Sequence, residues 1–504
     1  MNNPSASVLD SARKKLLRWG GVMIFIYLIY LFAFPLTPHI QREGRMLDIE
    51  IMLRESGARW FIWVYIVGLL VLFYAFWRMV KTVREISKQN NEAANSLRGT
   101  ILTIGITCGV ILLGLYPITA LDVALYVVRA RVWTLHGGNP LTALPEAYPQ
   151  DRYIAIAGEF ADETSPYGPL WEIIAQIPMQ MGVTDIAGGV LAMKVIALLA
   201  FIGMAWLIGW KSKTVSVTAL TFFALNPLVL LEAIGNGHND ILMLAFITLG
   251  LILWQRGHWL WAMLALTLAT MTKITGVIII PLFGLAVLIE APNWTERLKR
   301  GLGLAAVFCG ISLALYGFMG PLPDVFTGTL NAMFSRRSAS VPYALHVIVR
   351  EFNPAAARGI LTNSKYLFLL VYGWLAIAML RKKLTLLEAG FLAYLAQIIL
   401  SNAFRIWYPL WLIPFATLNL NSKTYWRTFL FSLTAEFSIL SYYILWRWYW
   451  RGWDWGMNGP LASYWNFWTI MTPFTVSWTF TIPFLGDLIL WLKRQKKPDQ
   501  IPLP

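Results

Sequence analysis

Long apolar segments recur along this chain, with short polar breaks between them. Segments of about 17 to 25 apolar residues are long enough to cross the hydrocarbon layer as α-helices. We therefore expect an all-α, polytopic transmembrane bundle. The pattern predicts about fourteen spans, at residues 19–36, 60–80, 100–117, 186–210, 215–234, 241–255, 259–272, 274–290, 302–319, 366–380, 385–400, 406–420, 428–446 and 467–492.

The polar breaks indicate a single membrane-embedded domain over residues 1–504, in which residues 1–99 hold two leading spans and a polar cytoplasmic connection. Three breaks are long enough to hold structure of their own, at residues 118–185, 320–365 and 446–465, the last rich in tryptophan. In the first of them, the apolar pattern predicts interfacial helices over residues 120–135 and 170–181, separated by glycine and proline.

Basic residues are concentrated in alternate connections. Lys and Arg cluster before the first segment and after the fourth, eighth, tenth and last segments. Cytoplasmic loops of membrane proteins carry an excess of Lys and Arg. We therefore expect a multi-pass protein of the cell membrane (plasma or inner membrane), with both termini in the cytoplasm and the three long connections on the opposite face.

Composition agrees with a membrane location, since 58% of the residues are hydrophobic and only 13% are charged. The net charge of +15 is spread over short loops rather than gathered on one domain. Membrane lipids, and not nucleic acid, are therefore the expected partners of the basic residues. Cys108 and Cys309 fall inside apolar segments, and their spacing indicates neither a metal site nor a disulfide.

Asp122 is the first candidate for chemistry. It lies a few residues beyond the end of a predicted span, which places its carboxylate at the outer membrane surface. A carboxylate there is suited to accept a proton from an attacking hydroxyl. The alternative is that Asp122 caps the helix that follows, because Asp is favoured near helix N-termini.

A second polar group occupies the tight turn between two apolar segments. Ionisable residues at membrane depth are costly and usually face a cavity. A turn alone needs only Gly and Asn, so the additional His and acids favour a polar site, with metal binding a weaker alternative. The group consists of Glu232, Asn236, His238, Asn239 and Asp240.

Four basic residues are candidates for binding a phosphate. Lys273 interrupts one long apolar stretch whose halves can each cross the membrane only if the chain turns there. Arg405 lies at another outer junction, and Arg336 and Arg337 lie in the second long connection. The alternatives are that Lys273 extends to the interface and that Arg405 pairs with an acid.

These segments resemble the integral-membrane glycosyltransferases of the GT-C class, which use polyprenyl-phosphate sugars on the non-cytoplasmic face. The likeness is strongest to bacterial polyprenol-phosphomannose-dependent α-1,6-mannosyltransferases. It lies in residues 122–140, 165–171, 226–240 and 404–409, most specifically in Asn226-Pro227 followed by residues 235–240. Two departures stand out: the acid-bearing loop follows the third span rather than the first, and Asp122 has no adjacent second acid.

The resemblance implies Asp122 as the catalytic acid, places Lys273 beside the donor phosphate and places Tyr167 in a loop that borders the site. From their positions, Arg405, Arg336 and Arg337 are expected as further phosphate ligands. Because one carboxylate then activates the acceptor, we expect neither a metal nor another cofactor. The expected substrate cavity is lined by Tyr126, Arg129, Asp151, Tyr167, Glu232, Asn236, His238, Asn239, Asp240 and Tyr408.

The hypothesis is therefore an inverting, metal-independent glycosyltransferase that moves a hexose from a polyprenyl-phosphate donor to an outward-facing glycan or glycolipid of the cell envelope. The resemblance implies that this hexose is mannose. A secondary transporter or lipid flippase is the main alternative, although it should show two matching halves, which the sequence lacks. A non-catalytic subunit of an envelope complex is a third. Glu436 and Asp487, isolated in late spans, are interpreted as structural.

Overall fold

The computed structural model describes residues 6–37, 61–120, 122–211, 217–334, 338–441 and 464–496. The regular elements in these residues are helices, which confirms the all-α prediction. The α-helices are α1 (Ala6–Ala33), α2 (Phe61–Gln89), α3 (Asn91–Asn95), α4 (Arg98–Leu113), α5 (Asp122–His136), α6 (Pro169–Gln180), α7 (Ile186–Trp206), α8 (Val217–Ala224), α9 (Asp240–Gln255), α10 (Trp259–Thr272), α11 (Ile279–Ile289), α12 (Trp294–Met319), α13 (Leu322–Phe334), α14 (Val341–Arg350), α15 (Pro354–Leu380), α16 (Leu386–Leu400), α17 (Ile413–Leu418), α18 (Ser422–Ile439) and α19 (Tyr464–Lys496). Short 3₁₀ helices cover Pro145–Ala147, Ile154–Phe160, Ile274–Ile278 and Tyr408–Leu412, and π-helical turns cover Leu207–Lys211 and Val229–Gly235.

Six of the described helices are long and apolar enough to cross a membrane, namely Ser7–Ala33, Ile62–Gln89, Glu92–Leu113, Ile186–Gly209, Trp294–Met319 and Pro354–Leu380. Val217–Ala224 and Val229–Gly235 add a seventh if this pair, bent by 53°, forms one span. The other apolar helices, such as α9 and α10, have 10 to 17 residues. The structure therefore supports a membrane protein with several spans, whereas the count of about fourteen stays a prediction.

The bent pair runs through the centre of the bundle. Every residue from 217 to 241 is buried. The helix breaks at Pro227, which lacks a backbone N–H, and the Asn226 side chain accepts a hydrogen bond from the N–H of Leu228 at 3.1 Å. The pair ends at the polar turn of residues 235–240, and this turn is thereby held inside the protein rather than in solvent.

Helix α5 corrects one prediction. The helix forms where the apolar pattern places it, and it ends before Gly137, which has a φ of 72°. However, residues 123–132 are all buried, including Arg129 and Arg131, so protein encloses the helix instead of leaving one side exposed. A single apolar side is visible in the sequence, but packing against α6 and α7 covers the other sides as well.

The break at Lys273 is confirmed. Helix α10 ends at Thr272, Lys273 is extended, and a 3₁₀ turn leads into α11. The connection that follows α5 passes close to this break: the N–H of Gly168 donates to the carbonyl of Thr272 at 3.1 Å. A Cβ atom at residue 168 would lie 2.1 Å from the Met271 carbonyl oxygen, so only glycine permits this approach.

The remaining long connections differ in what the structure describes. Much of residues 320–365 is helical, in α13, α14 and the start of α15. Arg336 and Arg337 lie outside the described residues, as does most of the tryptophan-rich segment at 446–465. Asp487, interpreted from the sequence as isolated, in fact accepts a hydrogen bond from Nε of Arg427 at 2.7 Å.

Candidate active site

Asp122 is the first residue of α5, and its carboxylate is partly accessible, with 19% of the side chain exposed. The hydroxyl of Tyr167 donates to its Oδ1 at 3.1 Å. Its Oδ2 lies 4.0 Å from Nδ1 of His238. Among the described residues, the carboxylate thus has one direct hydrogen-bond donor, and it remains accessible, which suits a group that must accept a proton.

His238 lies between two carboxylates. Its Nδ1 faces Asp122, and its Nε2 lies 3.3 Å from Oε2 of Glu232, outside hydrogen-bonding geometry. The imidazole stacks on the indole ring of Trp407 with 3.8 Å between ring centroids. Since one face of the ring and both ring nitrogens have neighbours, the position of His238 is constrained.

The polar turn also positions the backbone that leads to Asp122. The side-chain oxygen of Asn236 accepts hydrogen bonds from the N–H groups of Ile118 at 2.8 Å and Thr119 at 3.3 Å. Oε1 of Glu232 accepts from the Thr119 hydroxyl at 2.6 Å and from the Asn236 amide at 2.9 Å. These bonds join segments more than a hundred residues apart and place Asp122 next to His238.

Asp240 and Lys273 form an ion pair in the same region. Nζ of Lys273 lies 2.7 Å from Oδ2 of Asp240, and the Trp411 indole N–H donates to Oδ1 at 2.6 Å. Asp240 is fully buried, and 15% of the Lys273 side chain is exposed. A buried carboxylate needs partners of this kind. Lys273 therefore stabilises the buried Asp240, and its own side chain remains partly accessible.

Tyr167 lies between Asp122 and Lys273 and contacts both. Its hydroxyl binds Asp122, while Nζ of Lys273 lies 5.6 Å from its ring centroid. Burial, and then the negative charge of Asp122, raise the pKa of the Tyr167 phenol well above its usual range, so the phenol remains a donor. Tyr126 packs edge to face on Tyr167 at 5.0 Å. The two tyrosines form one aromatic wall beside the acid.

Asn239 lies beside the two tyrosines. Its backbone N–H donates to the Tyr126 hydroxyl at 3.5 Å. Its side-chain amide is buried, and within the described part of the chain neither the oxygen nor the nitrogen has a hydrogen-bond partner. Unpaired buried amides cost free energy, which makes Asn239 a candidate for contact with a bound polar ligand.

Asp151 has a different environment. Both its oxygens accept hydrogen bonds from Arg131, at 3.2 and 2.8 Å, and His136 Nε2 lies 3.0 Å from Oδ2. Burial would raise the pKa of this carboxyl, but hydrogen bonds from Arg131, the Tyr153 N–H and His136 outweigh it and lower the pKa. Arg131 lies nine residues beyond Asp122, about 13 Å along the helix axis.

Arg129 and Tyr408 also differ in position. Arg129 donates to the backbone carbonyls of Glu163 and Thr164, at 3.5 and 3.3 Å, and so holds the outer connection. Tyr408 stacks on Trp411, the partner of Asp240, with 4.2 Å between centroids. Arg405 is half-buried in the same segment as Trp407 and Tyr408, next to the site.

Several site residues were not identified in the sequence. Thr119, Trp407 and Trp411 contact Glu232, His238 and Asp240 directly. Their signal was present but weak: Thr119 lies three residues before Asp122, and the two tryptophans follow Arg405 four residues apart. Tryptophan is common throughout this chain, with 25 residues, so composition could not single them out.

Lys194 is a further residue that sequence reasoning left aside. It is fully buried in α7, and its Nζ donates to the carbonyls of Leu112, at 3.2 Å, and Leu115. These carbonyls lie at the end of α4, where unpaired backbone acceptors and the helix dipole favour a cation. Lys194 thereby anchors the chain just before the segment that carries Asp122.

The described residues contain no group of three or more His, Cys, Asp or Glu side chains placed to hold a metal ion. In this part of the chain, the site combines the accessible carboxylate of Asp122, the buried imidazole of His238 between two acids and the accessible cation of Lys273. Tyrosine hydroxyls and tryptophan indoles surround these groups. Such a set is suited to proton transfer beside an anionic leaving group.

Comparison with known proteins identifies relatives of this chain. It is 30% identical over 297 residues to alpha-(1->6)-mannopyranosyltransferase B of Corynebacterium glutamicum, covering 53% of this chain and 47% of that protein. It is 24% identical over 281 residues to alpha-(1->6)-mannopyranosyltransferase A of Mycobacterium tuberculosis, covering 54% of this chain and 53% of that protein. The chain thus spans about half the length of these curated relatives. No solved structure matches it.

The match to a protein family includes most of the site. The family model described as alpha-(1->6)-mannopyranosyltransferase, N-terminal domain, matches residues 21–289. This segment contains Asp122, Tyr167, the turn at 235–240 and Lys273. Because the match covers more than half of the 504 residues, the chain belongs to the alpha-(1->6)-mannopyranosyltransferase family.

Proposed function

We propose that this protein is a membrane-embedded mannosyltransferase that uses a polyprenyl-phosphate mannose donor, with Asp122 as the general base. The names of the family and of the relatives support mannosyl transfer. The acceptor is a glycan or glycolipid on the non-cytoplasmic face. The alternation of Lys and Arg clusters supports this orientation.

One observation carries the proposal: Asp122 is the accessible acid of the cluster. Glu232 and Asp240 are fully buried and have neighbouring donors or cations, whereas 19% of the Asp122 side chain is exposed. A general base must come within hydrogen-bonding distance of the proton that it takes. Of these three acids, Asp122 alone meets that condition without a rearrangement.

The proposed step is a single displacement. The acceptor hydroxyl oxygen attacks the anomeric carbon, and its proton passes to the Asp122 carboxylate. The bond between the anomeric carbon and the phosphate oxygen breaks, and its electrons leave with the polyprenyl phosphate. Because attack occurs opposite the leaving group, the anomeric configuration is inverted. No metal is required for this proton transfer.

Lys273 is suited to the leaving phosphate. It is a partly exposed cation whose Nζ lies 5.6 Å from the ring of Tyr167, the residue that binds Asp122. The ion pair with Asp240 holds the Lys273 side chain in place, and the Trp411 indole N–H in turn donates to Asp240. A fixed cation stabilises charge as it develops on a leaving group, and Arg405, in the neighbouring segment, is a second candidate for the same phosphate.

The test is mannosyl transfer by the purified protein in lipid nanodiscs, from radiolabelled polyprenyl-phosphate mannose to a panel of mannose-containing acceptors. Asp122→Asn preserves size and removes the base. Asp162→Asn, at an exposed acid of the same connection, is the matched control. We expect transfer by the wild type and by Asp162→Asn but not by Asp122→Asn. Equal turnover of the two variants would contradict the role of Asp122, and absence of transfer by the wild type from this donor would contradict the proposed donor.

A further inference from the structure

A polar cavity lies away from the candidate active site. Its volume is about 360 Å³. The lining residues combine two cations with hydroxyl, amide and aromatic groups: Arg84, Ser87, Lys88, Thr218, Asn421 and Tyr425. Nothing in the proposed transfer reaction uses these residues.

The cavity lies at the opposite end of the helices that carry the active site. The bent pair of helices begins at Val217, beside the cavity residue Thr218, and ends at Gly235, beside Asn236 of the site. The pair holds 15 residues in two helical segments that are bent by 53°, so its two ends lie about 20 to 25 Å apart. Residues 407–420 also run between these two ends, from Trp407 at the site to Leu420 at the cavity.

The two cations of the cavity lack acid partners. Arg84 and Lys88 lie one turn apart near the end of α2, and neither forms an ion pair among the described residues. The guanidinium of Arg84 lies 5.6 Å from the ring centroid of Tyr425. Arg131, Lys273 and Arg427 each contact a carboxylate, whereas buried Arg129 and Lys194 donate to backbone carbonyls. In the part of the chain that the structure describes, the two cations of the cavity therefore have no carboxylate to balance their charge.

Neutral groups of the cavity are also arranged for an anion. The Thr218 hydroxyl donates to Oγ of Ser87 at 3.2 Å, which leaves the Ser87 hydroxyl free to donate. Asn421 caps α18 by accepting from the N–H groups of Lys423 and Thr424, at 3.0 and 3.1 Å. The positive end of that helix dipole thus lies beside the two cations.

We propose that this cavity binds the phosphate headgroup of an anionic membrane lipid, in the leaflet opposite to the active site. A phosphate between Arg84 and Lys88 would neutralise both cations and accept a bond from Ser87. Arg84 and Lys88 lie near the end of Ile62–Gln89, a helix long and apolar enough to cross a membrane, and lipid phosphates lie beyond the ends of the hydrocarbon layer. Lys88 is exposed, so a headgroup reaches it from the surface.

The test compares lipid binding by wild type and the double variant Arg84→Gln/Lys88→Gln. Native mass spectrometry measures retention of phosphatidylglycerol, and the melting temperature is measured in phosphatidylcholine nanodiscs with and without phosphatidylglycerol. At about 1 kcal/mol for each cation near an anionic headgroup, loss of both weakens binding roughly thirtyfold. We expect the stabilisation by phosphatidylglycerol to disappear in this variant.

The matched control is Arg381→Gln/Lys383→Gln, which removes two exposed cations of another polar connection. It should retain the wild-type response. Equal loss of binding in both variants would show general surface attraction and overturn the proposal. So would a full response to inorganic phosphate in phosphatidylcholine alone, because free phosphate would then be the ligand. Lys88→Gln, at an exposed position, tests the same site if the double variant fails to fold.

Discussion

Two aspartates of the same connection, Asp122 and Asp151, have contrasting environments around α5. Each lies near a histidine: His136 is 3.0 Å from Asp151, and His238 is 4.0 Å from Asp122. Asp151 is fully enclosed and also accepts two hydrogen bonds from Arg131. Asp122 has one donor, Tyr167, and stays partly exposed.

Under the proposed function, the difference separates an aspartate with a structural role from one that takes part in chemistry. The four acceptor positions of the Asp151 carboxylate are occupied by two hydrogen bonds from Arg131, one from the Tyr153 N–H and the contact with His136. Moving this carboxylate would also leave a buried cation without its partner. A carboxylate with one donor can exchange partners at little cost. We therefore expect mutations at the two sites to separate activity from stability.

The largest expected effect is the loss of activity in Asp122→Asn. Removal of a general base lowers the rate on the order of 10² to 10⁴-fold. Because Asp122 is partly exposed and lies in the first turn of α5, the melting temperature should change little. Turnover and thermal unfolding are measured on the same preparation. A large loss of stability with unchanged turnover per folded molecule would reverse the assignment.

Asp151→Asn should act mainly on stability. The change leaves Arg131 buried without its counter-ion, and breaking one partner of a buried pair costs about 3 to 5 kcal/mol. Thermal unfolding in detergent measures the effect. The control Asp185→Asn changes an acid that caps α7 in the same connection and should cost about 1 kcal/mol or less. A strongly reduced turnover of Asp151→Asn at unchanged melting temperature would instead favour a role in the substrate cavity.

Tyr167→Phe removes the hydrogen bond to Asp122 and leaves the aromatic wall in place. Hydrogen bonds to charged groups contribute about 1.5 to 3 kcal/mol, so we expect turnover to fall roughly ten- to a hundredfold. The pH dependence of turnover should change as well, because the donor to the base is lost. Tyr148→Phe, which changes a tyrosine stacked on His136 near Asp151, should leave both properties close to wild type.

The smallest effect is the response of the Asp151 cluster to pH. The pKa of Asp151 is lowered in the folded protein, so its contribution to stability is complete above the pKa of the unfolded carboxyl, about 4. The contribution is lost as the pH falls from there toward the lowered value. We expect the melting temperature of the wild type to drop more than that of Asp151→Asn between pH 6 and pH 3.5. Parallel curves for the two proteins would contradict the lowered pKa.

Local pattern was sufficient for the helices near the site and for some of its members. The apolar period places α5 and its end near Gly137, and the interruption at Lys273 places a break inside a continuous apolar stretch. These features depend on residues within a few positions of each other. For the same reason, the accessible position of Asp122 beyond a span could be inferred from its neighbours alone.

Contacts between distant segments were decided by the tertiary structure. Asp122 meets Tyr167, Lys273 meets Asp240, and Trp411 meets Asp240 across 45, 33 and 171 residues. Hydrophobic periodicity indicates which side of a helix is apolar, but it does not indicate which element covers that side. This is why α5 was expected at the surface and is buried.

The sequence by itself determined that the chain is helical and apolar enough for a membrane, and it marked the polar interruptions where chemistry is possible. Only the tertiary structure decided which acids are enclosed and which remain open, because burial and donor saturation depend on the packing of several helices at once. That packing separates Asp151, closed by Arg131, from Asp122, open beside His238.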